Sequence, residues 1–326
     1  MDKKVTKAPD YLEDNHLSPQ TKEFLKVLNA SDTPVESLSP EDARKVLEGA
    51  QSSVEVDLSG IEETDKTITE DIFTVKLKIV RPKGKTEKLP VFLFIHGGGW
   101  VLGDYPTHRR LVRDLVVETG FAAVFVDYSR SPEAKFPQAV NEIYAATKWV
   151  AEHGDEINVD GSRLGIIGNS VGGNMSLVTS IMANNNNTPK IKAQVLLWPV
   201  TDGSMEFDSY KEFGEQRFLT SSLMKWMFEQ YKKTREDVKD IHFSPLRAPI
   251  EELEGLPPTL IQVAENDILR NEGEAMGRKL EKAGVEVTTV RFNGVIHDWG
   301  MLNGFAHIHP TKTVVMFSAA MLKKYL

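Results

Sequence analysis

Two glycine-rich turns, each directly behind a short apolar run, restrict what this chain can fold into. His96-Gly97-Gly98-Gly99-Trp100 follows the run at residues 91–95, and Gly168-Asn169-Ser170-Val171-Gly172-Gly173 follows the run at 164–167. Apolar runs without alternation suit strands buried on both faces of a parallel sheet. The second turn matches G-x-S-x-G, a strained strand-to-helix elbow that lifts a serine hydroxyl above the sheet. The first offers bare backbone whose N–H groups can turn toward that serine. Together they point to acyl transfer by a serine nucleophile.

The rest of the chain supplies a sheet for these turns. Residues 121–126, 195–198 and 260–263 are further short apolar runs. Residues 54–58, 68–80 and 285–292 read as strands, with Val75, Leu77 and Ile79 on one face and Lys83-Gly84-Lys85 as a polar turn. Helix-period stretches fall between them at 108–119, 137–153, 171–183 and 271–283, the last closed by Gly284. Strand alternating with helix predicts an α/β fold with a doubly wound, mostly parallel sheet.

Two stretches break the alternation. Residues 1–52 read as short helices, with Ser18-Pro19 and Ser39-Pro40 as helix starts and a thin apolar stripe of Phe24, Leu25 and Leu28 that needs a surface to pack on. Residues 201–250 are too long for one crossover helix. They carry Thr220 as a cap and a broad apolar face of Leu223, Met224, Met227, Phe228 and Tyr231. The expected division is an N-terminal helical arm at 1–52 forming part of a cap, a catalytic body at 53–200 and 251–326, and an inserted cap segment at 201–250. The alternative is a helical elaboration packed elsewhere.

Composition narrows the function classes. The net charge of −8 argues against nucleic acid or an anionic membrane as partner. The absence of cysteine excludes disulfides, thiolate catalysis and cysteine-ligated zinc, and suits a reducing cytosol. Met1-Asp2-Lys3-Lys4-Val5 is followed by no apolar stretch, so it does not read as a secretory signal. No segment approaches the ~20 apolar residues of a membrane span. The chain therefore reads as soluble and cytoplasmic. No metal-ligand spacing and no phosphate-cradling glycine motif is present, so neither a metal nor a cofactor is expected.

A serine hydroxyl needs a base to take its proton, and the base needs an acid to hold its tautomer. In sheets of this type the chain order is serine, acid, histidine, each on a loop at the carboxyl edge of a strand. Ser170, Asp267 and His297 fit that order and those positions. Glu265 and Glu272 compete for the acid, and His307 and His309, nearer the start of the last helix, compete for the base. His96 could serve as a second base, but a histidine ending a buried strand reads better as a hydrogen-bonded support for the glycine loop. The amides of Gly98 and Gly99, with that of Val171 at a helix start, are the candidate oxyanion hole. Trp100, with Phe213, Phe218 and Leu223 of the inserted segment above it, is expected to wall the substrate pocket. The alternative places these aromatics in the core of the cap.

The two glycine motifs, Asp267-Ile268-Leu269-Arg270-Asn271-Glu272-Gly273, Ile296-His297 and Asp127-Tyr128-Ser129-Arg130-Ser131-Pro132-Glu133 with Phe136-Pro137 resemble those of the hormone-sensitive-lipase-like esterases, bacterial lipolytic family IV. The resemblance runs from about Ser53 to the end and more loosely over the arm. It implies an α/β-hydrolase fold, a mostly parallel eight-stranded sheet flanked by helices under a helical cap. It also implies hydrolysis of short-to-medium acyl esters without a cofactor, a small-molecule ester as partner, and a plausible homodimer. Three positions depart from the family. Asn169 stands where Asp, sometimes Thr, is usual, Val171 where Ala is usual, and Ile268 where Pro is usual. These bear on pH optimum and substrate preference. The same machinery would serve an amide, a formamide or a polyester. Receptors on this fold lose the catalytic histidine, which is present here as His297.

Overall fold

The computed structural model describes residues 5–30 and 33–326. Eight strands, β1 (Ile61–Glu70), β2 (Phe73–Pro82), β3 (Leu89–Ile95), β4 (Ala122–Asp127), β5 (Val159–Asn169), β6 (Ala193–Leu197), β7 (Thr259–Asn266) and β8 (Val287–Ile296), form one sheet in the order β1-β2-β4-β3-β5-β6-β7-β8. β2 is antiparallel to β1 and β4, and every pairing from β4 onward is parallel. The helices are α1 (Pro19–Leu28), α2 (Pro40–Ser52), α3 (Tyr105–Thr119), α4 (Gln138–His153), α5 (Val171–Asn185), α6 (Asp208–Glu212), α7 (Ser221–Tyr231), α8 (Arg270–Lys282) and α9 (His309–Tyr325). This is the α/β-hydrolase architecture. Strands β3 and β6 are buried along their whole length, as their unbroken apolar sequences require.

One strand expected from sequence is missing. Residues 54–58 run as a loop. Asp57 Oδ1 accepts the Ser59 amide at 2.9 Å, a local bond that competes with ladder pairing.

Register places the chemistry. Ile95 lies opposite Gly168, so the turns after β3 and β5 emerge side by side. Asn266 lies opposite Ile296, which does the same for the turns after β7 and β8.

The arm and the inserted segment meet over these turns. Ser18, Ser39 and Thr220 each accept the amide of the third residue of their helix, at 3.2, 3.1 and 3.1 Å, so all three expected helix starts are capped. Phe24 of α1 packs edge-on against Phe218, with ring centroids 6.2 Å apart, and the buried pair Arg217–Asp14 closes at 2.7 Å. Removing one member of such a buried pair typically costs about 3–5 kcal/mol. Gln51 at the end of α2 accepts the Asn303 amide at 2.8 Å, tying the arm to the body. Among the described residues no helix is long and apolar enough to cross a membrane.

Candidate active site

Ser170 occupies the sharp turn between β5 and α5 at φ 55° and ψ −120°. Conformations of this kind cost a residue with a side chain about 1–3 kcal/mol and persist where the surroundings hold them. The glycines make the turn possible: a Cβ on Gly168 would lie 2.2 Å from the Gly172 carbonyl oxygen, and one on Gly172 would lie 2.0 Å from that of Ile95. The Ser170 amide donates to the Leu197 carbonyl at 2.8 Å, anchoring the elbow to β6.

His297 Nε2 lies 3.0 Å from Ser170 Oγ, and His297 Nδ1 lies 2.7 Å from Asp267 Oδ2. Asp267 Oδ1 accepts the Leu269 amide at 2.9 Å, which orients the carboxylate. All three side chains are nearly inaccessible to solvent. Burial presses His297 toward its neutral form, but the carboxylates of Asp267 and Asp298 outweigh it, and the imidazole titrates above its ordinary value. The competing acids have other partners. Glu265 accepts the Gly294 amide at 2.9 Å and contacts His16, while Glu272 accepts the Thr201 amide at 2.6 Å.

The glycine loop lies against the elbow. Gly98 and Gly99 stand at φ 106° and 62°, left-handed values that favour glycine. Both line the same cavity as Ser170 and His297. Val171 begins α5 directly after Ser170 and its side chain is fully buried. His96 is stacked on Tyr128 at 4.2 Å, and its Nδ1 lies 2.7 Å from the Gly97 carbonyl oxygen. Burial drives its pKa well below the usual value, so it supports the loop as a neutral ring.

The cavity above Ser170 measures about 120 Å³ and is walled almost wholly by apolar side chains. Phe218 and Leu223 line it. Trp100 and Phe213 do not. Trp100 is at φ 62°, and its indole is buried in the seam between α7 and the body, stacked on Tyr231 at 4.2 Å beside Phe228 and Phe243. Phe213 is buried beneath the Arg270 guanidinium, 4.7 Å from its ring centroid. Wall residues not anticipated from sequence include Phe24, Leu47, Leu102 and Met227. Met227 stands four residues beyond Leu223 on one helix face, a spacing that could have revealed it. Asp298 was also missed, although it follows His297 directly.

Among the described residues, Glu70, Glu152 and His153 lie close enough together to share a cation. Lys148 Nζ already sits 2.7 Å from Glu70 and neutralises part of that cluster.

A buried Ser–His–Asp relay at the carboxyl edge of a mostly parallel sheet, beneath a helical cover, defines a serine hydrolase of the α/β-hydrolase fold. The family model described as the alpha/beta hydrolase fold matches residues 92–301. An α/β hydrolase of Acanthamoeba polyphaga mimivirus is 36% identical over 301 residues, covering 91% of this chain and 85% of that protein. An ethyl acetate hydrolase of Pseudomonas putida is 28% identical, with 87% and 92% covered. The crystal structure of a thermostable esterase, also from Pseudomonas putida, superposes with a TM-score of 0.94 at 52% identity, covering 95% of this chain and 98% of that one. The chain belongs to the α/β-hydrolase family, in its hormone-sensitive-lipase-like branch, and is a serine hydrolase of carboxylic esters.

Proposed function

We propose that Ser170, His297 and Asp267 are the nucleophile, base and orienting acid of an esterase for short-to-medium acyl chains. Ser170 Oγ attacks the acyl carbon while His297 Nε2 takes its proton. Collapse of the tetrahedral intermediate breaks the ester bond, and His297 returns the proton to the departing alcohol. Water, deprotonated by the same nitrogen, then releases the acid from the acyl-serine. Asp267 holds the imidazole and stabilises its cation. The amides of Gly98, Gly99 and Val171 are the oxyanion donors in this reading, and losing one such donor typically costs about a hundred- to a thousandfold in rate. The observation that carries the proposal is the His297 ring, 3.0 Å from Ser170 and 2.7 Å from Asp267.

The apolar cavity of about 120 Å³ supports a short, neutral acyl group. The arm (1–52) and the insertion (201–250) act as the cap in this reading, because residues of both line that cavity. A cytoplasmic location fits the cysteine-free sequence. A homodimer fits the position of β8 at the sheet edge and the exposed Met316 and Phe317. Gel filtration at several concentrations tests pairing.

The decisive experiment is hydrolysis of p-nitrophenyl esters from C2 to C12 by the wild type and by Ser170→Ala. Turnover that favours short chains and falls by roughly a thousandfold or more in the variant is expected. An active Ser170→Ala protein would name the wrong nucleophile, and preference for long chains would remove the acyl-length reading.

A further inference from the structure

Asp298 has no role in the mechanism above, yet it and His297 are the charged or ionisable side chains on the described cavity wall. Its backbone stands at φ 61°, a left-handed conformation that a non-glycine residue keeps only when its surroundings hold it. Two donors converge on its Oδ1: Trp198 Nε1 at 2.6 Å and Asn169 Nδ2 at 3.0 Å. Trp198 itself stands at φ 37°, just beyond the end of β6. On its other side Asn169 accepts the Gly97 amide at 2.9 Å. One buried chain of bonds thus runs from the glycine loop, through the residue before the nucleophile, to the residue after the base.

The second oxygen, Oδ2, lies 3.7 Å from His297 Nε2. That is too far for a hydrogen bond, so it leaves Nε2 free to serve Ser170, but it is close enough for charge to be felt. We propose that Asp298 is a positioning residue of this hydrolase, whose carboxylate ties the nucleophile elbow to the histidine loop and sets a second negative charge beside the imidazole, on the face that meets Ser170. The inference rests on Ser170 and His297 being nucleophile and base. Asp267 acts on the Nδ1 side of the ring and Asp298 on the Nε2 side, so the imidazolium formed during attack is flanked by two carboxylates.

The charged neighbour of the turn after His297 is the buried Arg110 guanidinium of α3, which donates to the Gly300 and Met301 carbonyls at 2.6 and 2.8 Å and is paired with Asp114 at 3.0 Å. From α3, His108 lies close enough to feel Asp298, and its own burial holds its pKa below the usual value. The arm and the insertion present only apolar side chains to the described cavity wall. The upward shift of His297 despite full burial agrees with two carboxylates acting on one ring.

Asp298→Asn tests the inference, because the amide keeps an oxygen for both N–H donors and removes only the charge. The acid limb of kcat/KM is expected to move to lower pH by about one unit, with kcat at neutral pH falling several-fold and KM for a neutral ester little changed. An unmoved limb, with activity reduced equally at every pH, would make Asp298 a structural residue only. The His297 ring, followed by NMR, gives a second reading: its midpoint should lie above 6.5 in the wild type and fall in Asp298→Asn, and a midpoint that does not move between the two proteins overturns the inference. His297→Ala separates the two failures. If it is inactive while the Asp298→Asn limb stays put, only this inference falls; if it remains active, the reading of the base falls as well.

Discussion

The amide of Gly97 donates to the side chain of Asn169 at 2.9 Å, joining the loop after β3 to the elbow after β5. The bond follows from register, since Ile95 and Gly168 are direct partners in the parallel ladder. The contact is close enough that a Cβ on Gly97 would sit 2.6 Å from Asn169 Nδ2. The residue before the nucleophile therefore supports the candidate oxyanion loop as well as the turn. Asn169→Ala leaves a buried amide unpaired, at a cost of about 1–3 kcal/mol, and releases the loop. A melting temperature lower by several degrees is expected, with kcat reduced about ten- to a hundredfold and KM changed less. Scanning calorimetry beside steady-state kinetics checks this, and an unchanged kcat would mean that the loop holds itself in place.

The raised pKa of His297 fixes the direction of the pH response. The base must be neutral, so kcat/KM should fall as pH drops through a midpoint above 6.5. Stability runs the other way for this group. A ring whose folded pKa exceeds its unfolded value contributes stabilisation that is complete below 6.5 and is lost as pH rises through the folded value. A rate profile flat down to pH values well under 6.5 would contradict His297 as the base.

The Ser170 and Asp267 positions were readable because each lies directly behind a strand whose buried half is an apolar run. His297, by contrast, follows β8, a half-exposed edge strand, and was legible from its place after the acid in chain order. The glycine turns were readable because a missing side chain is itself the signal. The cavity wall was less legible. An aromatic residue beside a functional loop looks the same in sequence whether it faces substrate or core. Trp100, at positive φ, packs into the aromatic cluster of Tyr231 and Phe243, and Phe213 lies under the Arg270 guanidinium. Asp298 was illegible for another reason: its partners Trp198 and Asn169 lie 100 and 129 residues earlier in the chain.

These placements separate two kinds of aromatic and apolar substitution. Trp100→Ala empties a buried aromatic cluster and should destabilise the protein by about 3–5 kcal/mol, while the order of preference among acyl lengths stays as in the wild type. Leu223→Ala and Met227→Ala enlarge the cavity itself and should shift preference toward longer chains. Denaturant melts and a p-nitrophenyl ester series distinguish the two, and a changed chain-length preference in Trp100→Ala would return that residue to the pocket.

Glu272 offers a stability effect that should leave the chemistry alone. Its side chain is fully buried, and its Oε1 accepts the amides of Thr201 and Asp202 at 2.6 and 3.3 Å, where the chain leaves the sheet for the inserted segment. Burial pushes its pKa up to about 8, against the opposing pull of the Thr201 amide and the Tyr210 hydroxyl. An acid whose folded pKa is raised binds its proton more tightly when folded. Stability from this group is therefore complete below about 4.5 and declines as pH rises to about 8. Glu272→Gln keeps the acceptor for both amides and cannot ionise. It should melt higher than the wild type at pH 8, by on the order of 2–4 kcal/mol in unfolding free energy, with the gap closing toward pH 4.5. Thermal melts of the two proteins across that range, with ester turnover as a control, provide the test. A gap independent of pH would mean that packing rather than ionisation separates the two side chains.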